Sequence, residues 1–228
     1  MSRLQIRDSD KFTEIKTDNM FKKVTTALTA AVGLLLTATA VPAHAAKANP
    51  HATSKGFIPP AAPSPEAAPD KDLPNLGRDR HGLPFYHPKQ MKRVVRTTAY
   101  THSESDHLAY GPKSASGSYL KYTDEIRSAA ADWSVYPLGT KFKIKGEPYI
   151  YVVDDYGSAL VGTATIDIYH PSKALMRLWA TRIVEIEVLE WGSPTRSMQQ
   201  LAGRRGYKHC RRMYAALERQ MQAAQNKG

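Results

Sequence analysis

The chain has 228 residues, with 32 Lys and Arg against 21 Asp and Glu and a formal net charge of +11. This length suits one domain with appended segments, and the positive charge favours anionic surroundings. No RNA- or DNA-binding motif accompanies the charge, so we expect no nucleic-acid partner. A single cysteine, Cys210, excludes a disulfide within these residues, so the core must hold the fold together.

Residues 1–45 have the pattern of a polar extension followed by an export signal. The Lys22-Lys23 pair precedes an uncharged apolar run over 24–40, and Ala43-His44-Ala45 has the form of a cleavage site. The run is short for a membrane-spanning helix, so we expect a secretory signal peptide that begins at Met20. Since no lipobox cysteine follows it, we expect a protein exported to the periplasm, envelope or exterior, without stable membrane insertion.

Residues 46–92 are rich in alanine and proline, for example in Pro59-Pro60-Ala61-Ala62-Pro63. Such a composition buries too little apolar surface to offset chain entropy. We therefore expect an extended linker with polyproline character. Its end, over 83–88, includes Phe85 and Tyr86 and is expected to pack on the following domain as an arm.

Residues 93–191 have the pattern of a small, mainly all-β barrel of five to seven strands. Period-two alternation and β-branched or aromatic residues predict strands over 94–100, 141–145, 149–153 and 163–169, and around Val184, Ile186 and Val188. One helix is predicted over 172–179, with Ser172 as its N-cap. Its apolar side is expected to comprise Ala174, Leu175, Leu178 and Trp179.

Residues 192–228 form a basic tail with helical periodicity. Apolar residues recur at three- and four-residue steps: Tyr207, Cys210, Met213, Tyr214, Leu217 and Met221. This stripe predicts one amphipathic helix packed on the barrel. The alternative is a surface helix that holds the envelope or a partner through its arginines, namely Arg204, Arg205, Arg211, Arg212 and Arg219.

Three aspartates stand in distinct short contexts. They are found in Ala131-Asp132-Trp133, Asp155-Tyr156-Gly157 and Ile166-Asp167-Ile168-Tyr169. A carboxylate in the middle of a strand is disfavoured and expensive to desolvate. We therefore expect Asp167 to be paired, protonated or at the mouth of a cleft, which is typical of active sites. Asp132 and Asp155 suit turns as well as function.

Five short segments follow one another in a characteristic order between residues 95 and 189. They are Thr98-Ala99-Tyr100, Ala130-Ala131-Asp132, Pro137-Leu138-Gly139-Thr140, Asp155-Tyr156-Gly157 with Gly162, and Ile166-Asp167-Ile168-Tyr169. This order resembles the 3D domain family, named for three aspartates. It is also similar to the barrel half of membrane-bound lytic transglycosylase A and to stationary-phase survival proteins. The resemblance implies a six-stranded double-psi β-barrel.

The resemblance also implies an activity, that of a peptidoglycan lytic transglycosylase. Such an enzyme cleaves glycan strands between N-acetylmuramic acid (MurNAc) and N-acetylglucosamine (GlcNAc) and leaves a 1,6-anhydro sugar. Asp167 matches the catalytic acid/base, and Asp155 and Asp132 match its supporting aspartates. We expect substrate contacts from four further residues, namely Thr98, Tyr100, Gly157 and Tyr169.

The implied chemistry needs no metal and no cofactor, because the muramic 6-hydroxyl is a tethered nucleophile. Asp167 must then be protonated near neutral pH. We expect burial and the negative charge of Asp155 or Asp132 to raise its pKa, while Asp155 stays ionised. The expected partner is the peptidoglycan glycan strand, and the expected state is a monomer.

Two alternatives remain open at this stage. One is a non-catalytic barrel that binds peptidoglycan or another polysaccharide, since a fold does not determine a function. The other is a basic surface protein that binds polyanions through its tail. His102, Asp106 and His107 are residue types that ligate zinc, but the absence of HExxH or Cys-rich spacing indicates a solvated loop.

Overall fold

The structure, a computed structural model, describes residues 63–105 and 108–226. The predicted signal peptide, Asp106 and His107 lie outside these residues. The strands are β1 (Lys92–Tyr100), β2 (Ile126–Ala131), β3 (Lys141–Ile144), β4 (Ile150–Asp155), β5 (Ile166–Tyr169) and β6 (Arg182–Glu190). The helices are α1 (Lys173–Trp179), α2 (Pro194–Ala202) and α3 (Lys208–Gln225). The strands close into a barrel in the order β1-β5-β2-β4-β3-β6, which confirms the predicted mainly-β, six-stranded fold.

The two halves of the barrel, β1–β3 and β4–β6, pair in the same way. Strand β1 runs parallel to β5 and antiparallel to β6, and β4 runs parallel to β2 and antiparallel to β3. Antiparallel pairs of β2 with β5 and of β3 with β6 complete the barrel, so every pair joins a strand of one half to a strand of the other. Exchanging the halves therefore maps the pairing onto itself, which is the interlocked double-psi topology that the resemblance implied.

The barrel interior is filled by alternate strand residues. Ile166 and Ile168 of β5 are fully buried beside Val95, Phe142 and Ile186. Burying each such side chain contributes roughly 1.5–3 kcal/mol. Because neighbouring residues of a strand point to opposite faces, Asp167 faces outward.

Strand β2 was missing from the predicted strands. It reads Ile-Arg-Ser-Ala-Ala-Ala, and alanine has a low preference for strands. Nevertheless Ala129, Ala130 and Ala131 are buried between β4 and β5. Their packing between two strands overrides the weak local preference. Ala130 lies opposite both Asp155 and Asp167, so β2 separates these two aspartates.

Helix α1 confirms the predicted cap and corrects the predicted apolar side. The hydroxyl of Ser172 accepts a 3.3 Å hydrogen bond from the Leu175 amide. Trp179 is buried, whereas Leu178 is 60% exposed. Successive residues of a helix are rotated by about 100°, and α1 places Trp179 in the barrel core and Leu178 on a more exposed side.

The basic tail forms the predicted amphipathic helix, α3, and a further helix, α2, that precedes it. Both pack on the barrel, with Leu201 from α2 and Cys210, Met213 and Leu217 from α3 buried in the common core. Tyr207, which was assigned to the apolar stripe, precedes α3 and is 59% exposed. Among the described residues, no helix has both the length and the apolar character to cross a membrane.

An arm over residues 64–90 lies along the barrel. The Tyr86 hydroxyl donates to the Ala67 carbonyl at 2.9 Å and accepts from the Val94 amide at 2.9 Å. Ala67 is fully buried, and the Ser64 amide donates to Glu185. The packed part is therefore longer than the expected 83–88, because backbone hydrogen bonds supplement the small apolar area.

Candidate active site

Asp167 occupies the outer face of the barrel in the middle of β5. It lies opposite Thr98 of β1 on one side and Ala130 of β2 on the other. The Thr98 hydroxyl donates a 2.8 Å hydrogen bond to Asp167 Oδ1. Asp167 is partly buried, so its carboxyl group is held in one orientation at the edge of the protein interior.

Burial raises the pKa of Asp167 from its usual 3.8 to about 7. The Thr98 hydrogen bond acts in the opposite direction, because a donor stabilises the carboxylate. The negative charge of Glu104 raises this pKa further and that of Asp155 also does, whereas Arg96 lowers it. A carboxyl group that titrates near neutrality can both donate and accept a proton, which is the property of a general acid/base.

A groove of about 340 Å³ opens over Asp167. Its lining comes from three parts of the chain: Arg96, Thr98, Thr165 and Asp167 from the barrel, residues 157–160 from a loop, and Arg80 and His81 from the arm. Basic side chains therefore border the carboxyl group. Such a groove has the chemistry to hold a ligand with an anionic substituent beside a proton donor.

Asp79 fixes the arm at the groove. One of its carboxylate oxygens accepts from the amides of His81 (2.8 Å) and Leu83 (3.0 Å), and the other accepts from the Ala164 amide of the barrel at 3.0 Å. The Arg80 guanidinium donates to the carbonyl of Ala159 in the opposite wall. These contacts place Arg80 and His81 at the groove.

Arg80 and His81 were not among the predicted site residues, because they lie in the predicted linker. The one signal that pointed to them is local. The polar run Arg78-Asp79-Arg80-His81-Gly82 interrupts an otherwise Ala- and Pro-rich stretch. Charged residues followed by glycine indicate a structured turn better than a linker.

Asp155 ends β4 on the far side of β2 from Asp167. One of its carboxylate oxygens accepts from the amides of Ala115 and Tyr156, both at 2.9 Å, and the other accepts from the Tyr100 hydroxyl at 3.1 Å. Burial, followed by the charge of Asp155, raises the pKa of Tyr100 well above its usual range, so its phenol remains a donor. Asp155 thus ties Tyr100 and Ala115 to the end of β4, and it lies outside the groove's described lining.

Tyr100 and Tyr169 pack beside each other and against Leu160, a residue of the groove lining. They are opposite each other in the pair of β1 and β5, and their ring centroids are 5.6 Å apart. The Tyr169 hydroxyl is 2.7 Å from Nδ1 of His102. Of the four predicted substrate contacts, the structure places Thr98 and Gly157 in the groove lining and packs both tyrosines with Ala130 and Leu160.

Asp132 is buried away from this groove. One of its oxygens accepts from the Ser134 amide (2.8 Å) and hydroxyl (2.6 Å), and the other accepts from the Gly162 amide at 2.7 Å. These bonds tie the turn after β2 to loop 157–163. Asp132 lines a separate cavity beside α3, so the structure does not bring the three predicted aspartates together.

A comparison with protein families matches the sequence between the start of β2 and the end of β6. Residues 127–189 fit the family model described as the 3D domain. This part of the barrel is therefore similar to the 3D domain. This family is associated with peptidoglycan-related barrels of the lytic transglycosylase type. No curated protein matches the chain.

The matched region, residues 127–189, contains all three aspartates but only part of the groove. Thr98 and Arg96 belong to β1, and Arg80 and His81 belong to the arm, all of which precede residue 127. The groove is therefore assembled from the matched region and from residues N-terminal to it. Within 63–105 and 108–226, no three His, Cys, Asp or Glu side chains form a group that could hold a metal ion.

Proposed function

We propose that this protein is an exported, monomeric peptidoglycan lytic transglycosylase that cleaves the MurNAc–GlcNAc bond with Asp167 as its general acid/base. The observation that carries the proposal is a carboxyl group with a pKa of about 7 in a groove of about 340 Å³. The association of the 3D domain with peptidoglycan-related barrels supports the choice of substrate. The predicted signal peptide supports the location.

In the first step, protonated Asp167 donates its proton to the glycosidic oxygen. The bond between muramic C1 and that oxygen breaks, GlcNAc leaves as an alcohol, and positive charge develops at C1. In the second step, the muramic 6-hydroxyl attacks C1 and transfers its proton to the Asp167 carboxylate. The 1,6-anhydro ring closes, and the carboxyl group regains the proton with which it began.

One carboxyl group suffices for this sequence. Hydrolytic glycosidases normally need two, because one must act as nucleophile or activate a water molecule. Here the nucleophile belongs to the sugar that is attacked, and intramolecular attack has an effective molarity on the order of 10⁵ M or more. Thr98 binds Oδ1 of Asp167, which leaves Oδ2 to exchange the proton with the sugar.

The basic residues of the groove fit an acidic sugar. Arg80, Arg96 and His81 line the groove around Asp167, and muramic acid differs from GlcNAc by a lactyl group that carries a carboxylate in unsubstituted strands. A guanidinium binds a carboxylate through paired hydrogen bonds. We propose that these residues orient the muramic side of the scissile bond.

Incubation of the protein with purified sacculi tests the proposal. We expect 1,6-anhydro-muropeptides by mass spectrometry, and we expect Asp167→Asn and Asp167→Ala to abolish them. Asp124→Asn, a change at an exposed aspartate, is the matched control and should retain activity. Binding of sacculi without products would favour the non-catalytic barrel, and reducing-end MurNAc in place of anhydro ends would identify a hydrolase.

A further inference from the structure

A second groove lies on the other side of the loop that borders Asp167. Residues 157–160 line the groove of Asp167, and the next two residues, Val161 and Gly162, line the second one. The second groove measures about 420 Å³, and helix α3 forms its opposite wall. The two grooves therefore share one short loop as their common wall.

The wall supplied by α3 is strongly basic. Lys208, Arg211, Arg212 and Arg219 line the groove. Their spacing of three, four and eleven residues places them on one helix face, over about 16 Å at 1.5 Å per residue. Small side chains, Ala215 and Ala216, lie between the basic ones and leave the surface concave.

These cations are not neutralised within the described structure. Between residues 194 and 225 there are seven Lys and Arg and a single acidic residue, Glu218. None of the four groove cations forms an ion pair with a described residue. Asp132 is the one carboxylate of the described lining, and both its oxygens are occupied by donors of Ser134 and Gly162.

The wall is also held in place. The Arg211 guanidinium donates to the carbonyls of Arg205 and Gly206, both at 2.9 Å. The Gln220 amide group donates to the Ser134 carbonyl at 3.0 Å, which ties α3 to the turn after β2. Gly162 has φ +80, and a Cβ there would lie 3.1 Å from the Arg212 guanidinium. The loop and the helix therefore meet at Arg212.

We infer that this cationic groove binds the carboxylates of the peptide stems on the glycan strand whose sugars occupy the groove of Asp167. The inference rests on the proposed function. The stems branch from muramic acid and carry free carboxylates, and the shared loop places cations beside the sugar site. A concave surface fits a branched strand better than the flat face of a bilayer, and guanidinium groups pair well with carboxylates.

The test measures binding by chains that carry Asp167→Asn, so that no strand is cut. The ligands are soluble glycan strands with intact stems and the same strands stripped by an amidase. We expect R212Q/R219Q to weaken binding of intact strands about tenfold, as two exposed ion pairs would, and to leave stripped strands unaffected. R177Q/R196Q removes the same charge from exposed arginines outside the groove and should leave both affinities unchanged.

Two outcomes would overturn the inference. One is equal binding of intact strands by R212Q/R219Q and by the chain with an unchanged second groove. The other is that the wild-type groove binds vesicles of phosphatidylglycerol and phosphatidylcholine, and that R212Q/R219Q abolishes this binding but leaves strand binding the same. That result would assign the groove to lipid. A different result would show that the proposed function is wrong: the wild-type chain would release no anhydro products although stem-dependent binding persists.

Discussion

Thr98 lies directly opposite Asp167 across the parallel pair of β1 and β5, and its hydroxyl donates a 2.8 Å hydrogen bond to the Asp167 carboxyl group. This bond favours the ionised form, whereas burial favours the protonated form. The balance holds the pKa at about 7. The pKa of Asp167 can therefore be shifted in either direction, by changing the Thr98 hydrogen bond or the burial of the carboxyl group.

The first prediction concerns the pH dependence of cleavage. The first step needs protonated Asp167, so kcat/KM should be highest below pH 7 and fall as pH rises through about 7. Thr98→Val removes a donor to the carboxylate and should move this decline to higher pH. Glu104→Gln removes a negative charge and should move it to lower pH, each by up to about one unit.

Release of anhydro-muropeptides as a function of pH checks these shifts, and NMR titration of the Asp167 carboxyl carbon provides a measurement independent of turnover. Glu125→Gln, a change at an exposed glutamate, is the control for Glu104→Gln. A shift of both variants in the same direction would refute the assignment of the decline to Asp167.

The second prediction concerns stability. The folded chain binds the Asp167 proton more tightly than the unfolded chain between pH 3.8 and about 7. The contribution of this proton to the free energy of unfolding is therefore fully present below about pH 4 and is lost as pH rises through about 7. Between these values the free energy of unfolding falls by no more than about 1.4 kcal/mol per pH unit. Asp167→Asn should thus be more stable than wild type at about pH 8 and similar near pH 4.

Urea unfolding at these two pH values measures the difference in free energy of unfolding, with Asp124→Asn as the control. If Asp167→Asn were less stable than wild type at the higher pH, the carboxylate would be a favourable surface charge. Burial would then not destabilise the Asp167 carboxylate.

The third prediction separates the two aspartates that flank β2. Asp155→Asn places an amide against the donors of Ala115, Tyr156 and Tyr100, which should cost about 1–3 kcal/mol of stability. It also removes a like charge, so the pKa of Asp167 should fall slightly. Tyr100→Phe removes one of these hydrogen bonds and should cost about 1 kcal/mol. Chemical denaturation and carboxyl titration measure both effects, and a rise in the Asp167 pKa in Asp155→Asn would contradict this account.

The fourth prediction assigns Asp132 a role in loop position. Asp132→Asn presents an amide to the donors of Ser134 and Gly162, so loop 157–163 should loosen and KM should rise. The pH at which kcat/KM declines should stay the same, because Asp132 is not among the groups that set the Asp167 pKa. A changed pH profile with unchanged stability would instead make Asp132 part of the proton transfer.

The fifth prediction tests the arm. Asp79→Ala removes the bond to the Ala164 amide and the turn that orients Arg80 and His81. We expect KM for glycan strands to rise several-fold while kcat changes little, because binding groups are displaced and the proton donor remains. Asp72→Ala, at an exposed aspartate of the same arm, is the control. Equal KM values for both variants would show that the arm does not contribute to substrate binding.

Local patterns predicted the parts of the fold that depend on neighbours in sequence. The Ser172 cap needs only the amide three residues later, and the stripe of Cys210, Met213 and Leu217 depends on helical periodicity. Strand β2 was missed because alanine gives no strand signal, and its place is decided by the two strands that cover it. The groove residues of the arm were missed because their composition resembles that of a linker.

By itself, the sequence determined that Asp167 points to the opposite face of its strand from Ile166 and Ile168, because side chains alternate along a strand whatever its partners. Only the tertiary structure decided what that carboxyl group meets. The Thr98–Asp167 bond spans 69 residues and the Asp79–Ala164 bond spans 85. Contacts at such separations depend on how the barrel closes. That closure placed the basic arm beside Asp167, and it placed Asp132 in the lining of the second groove.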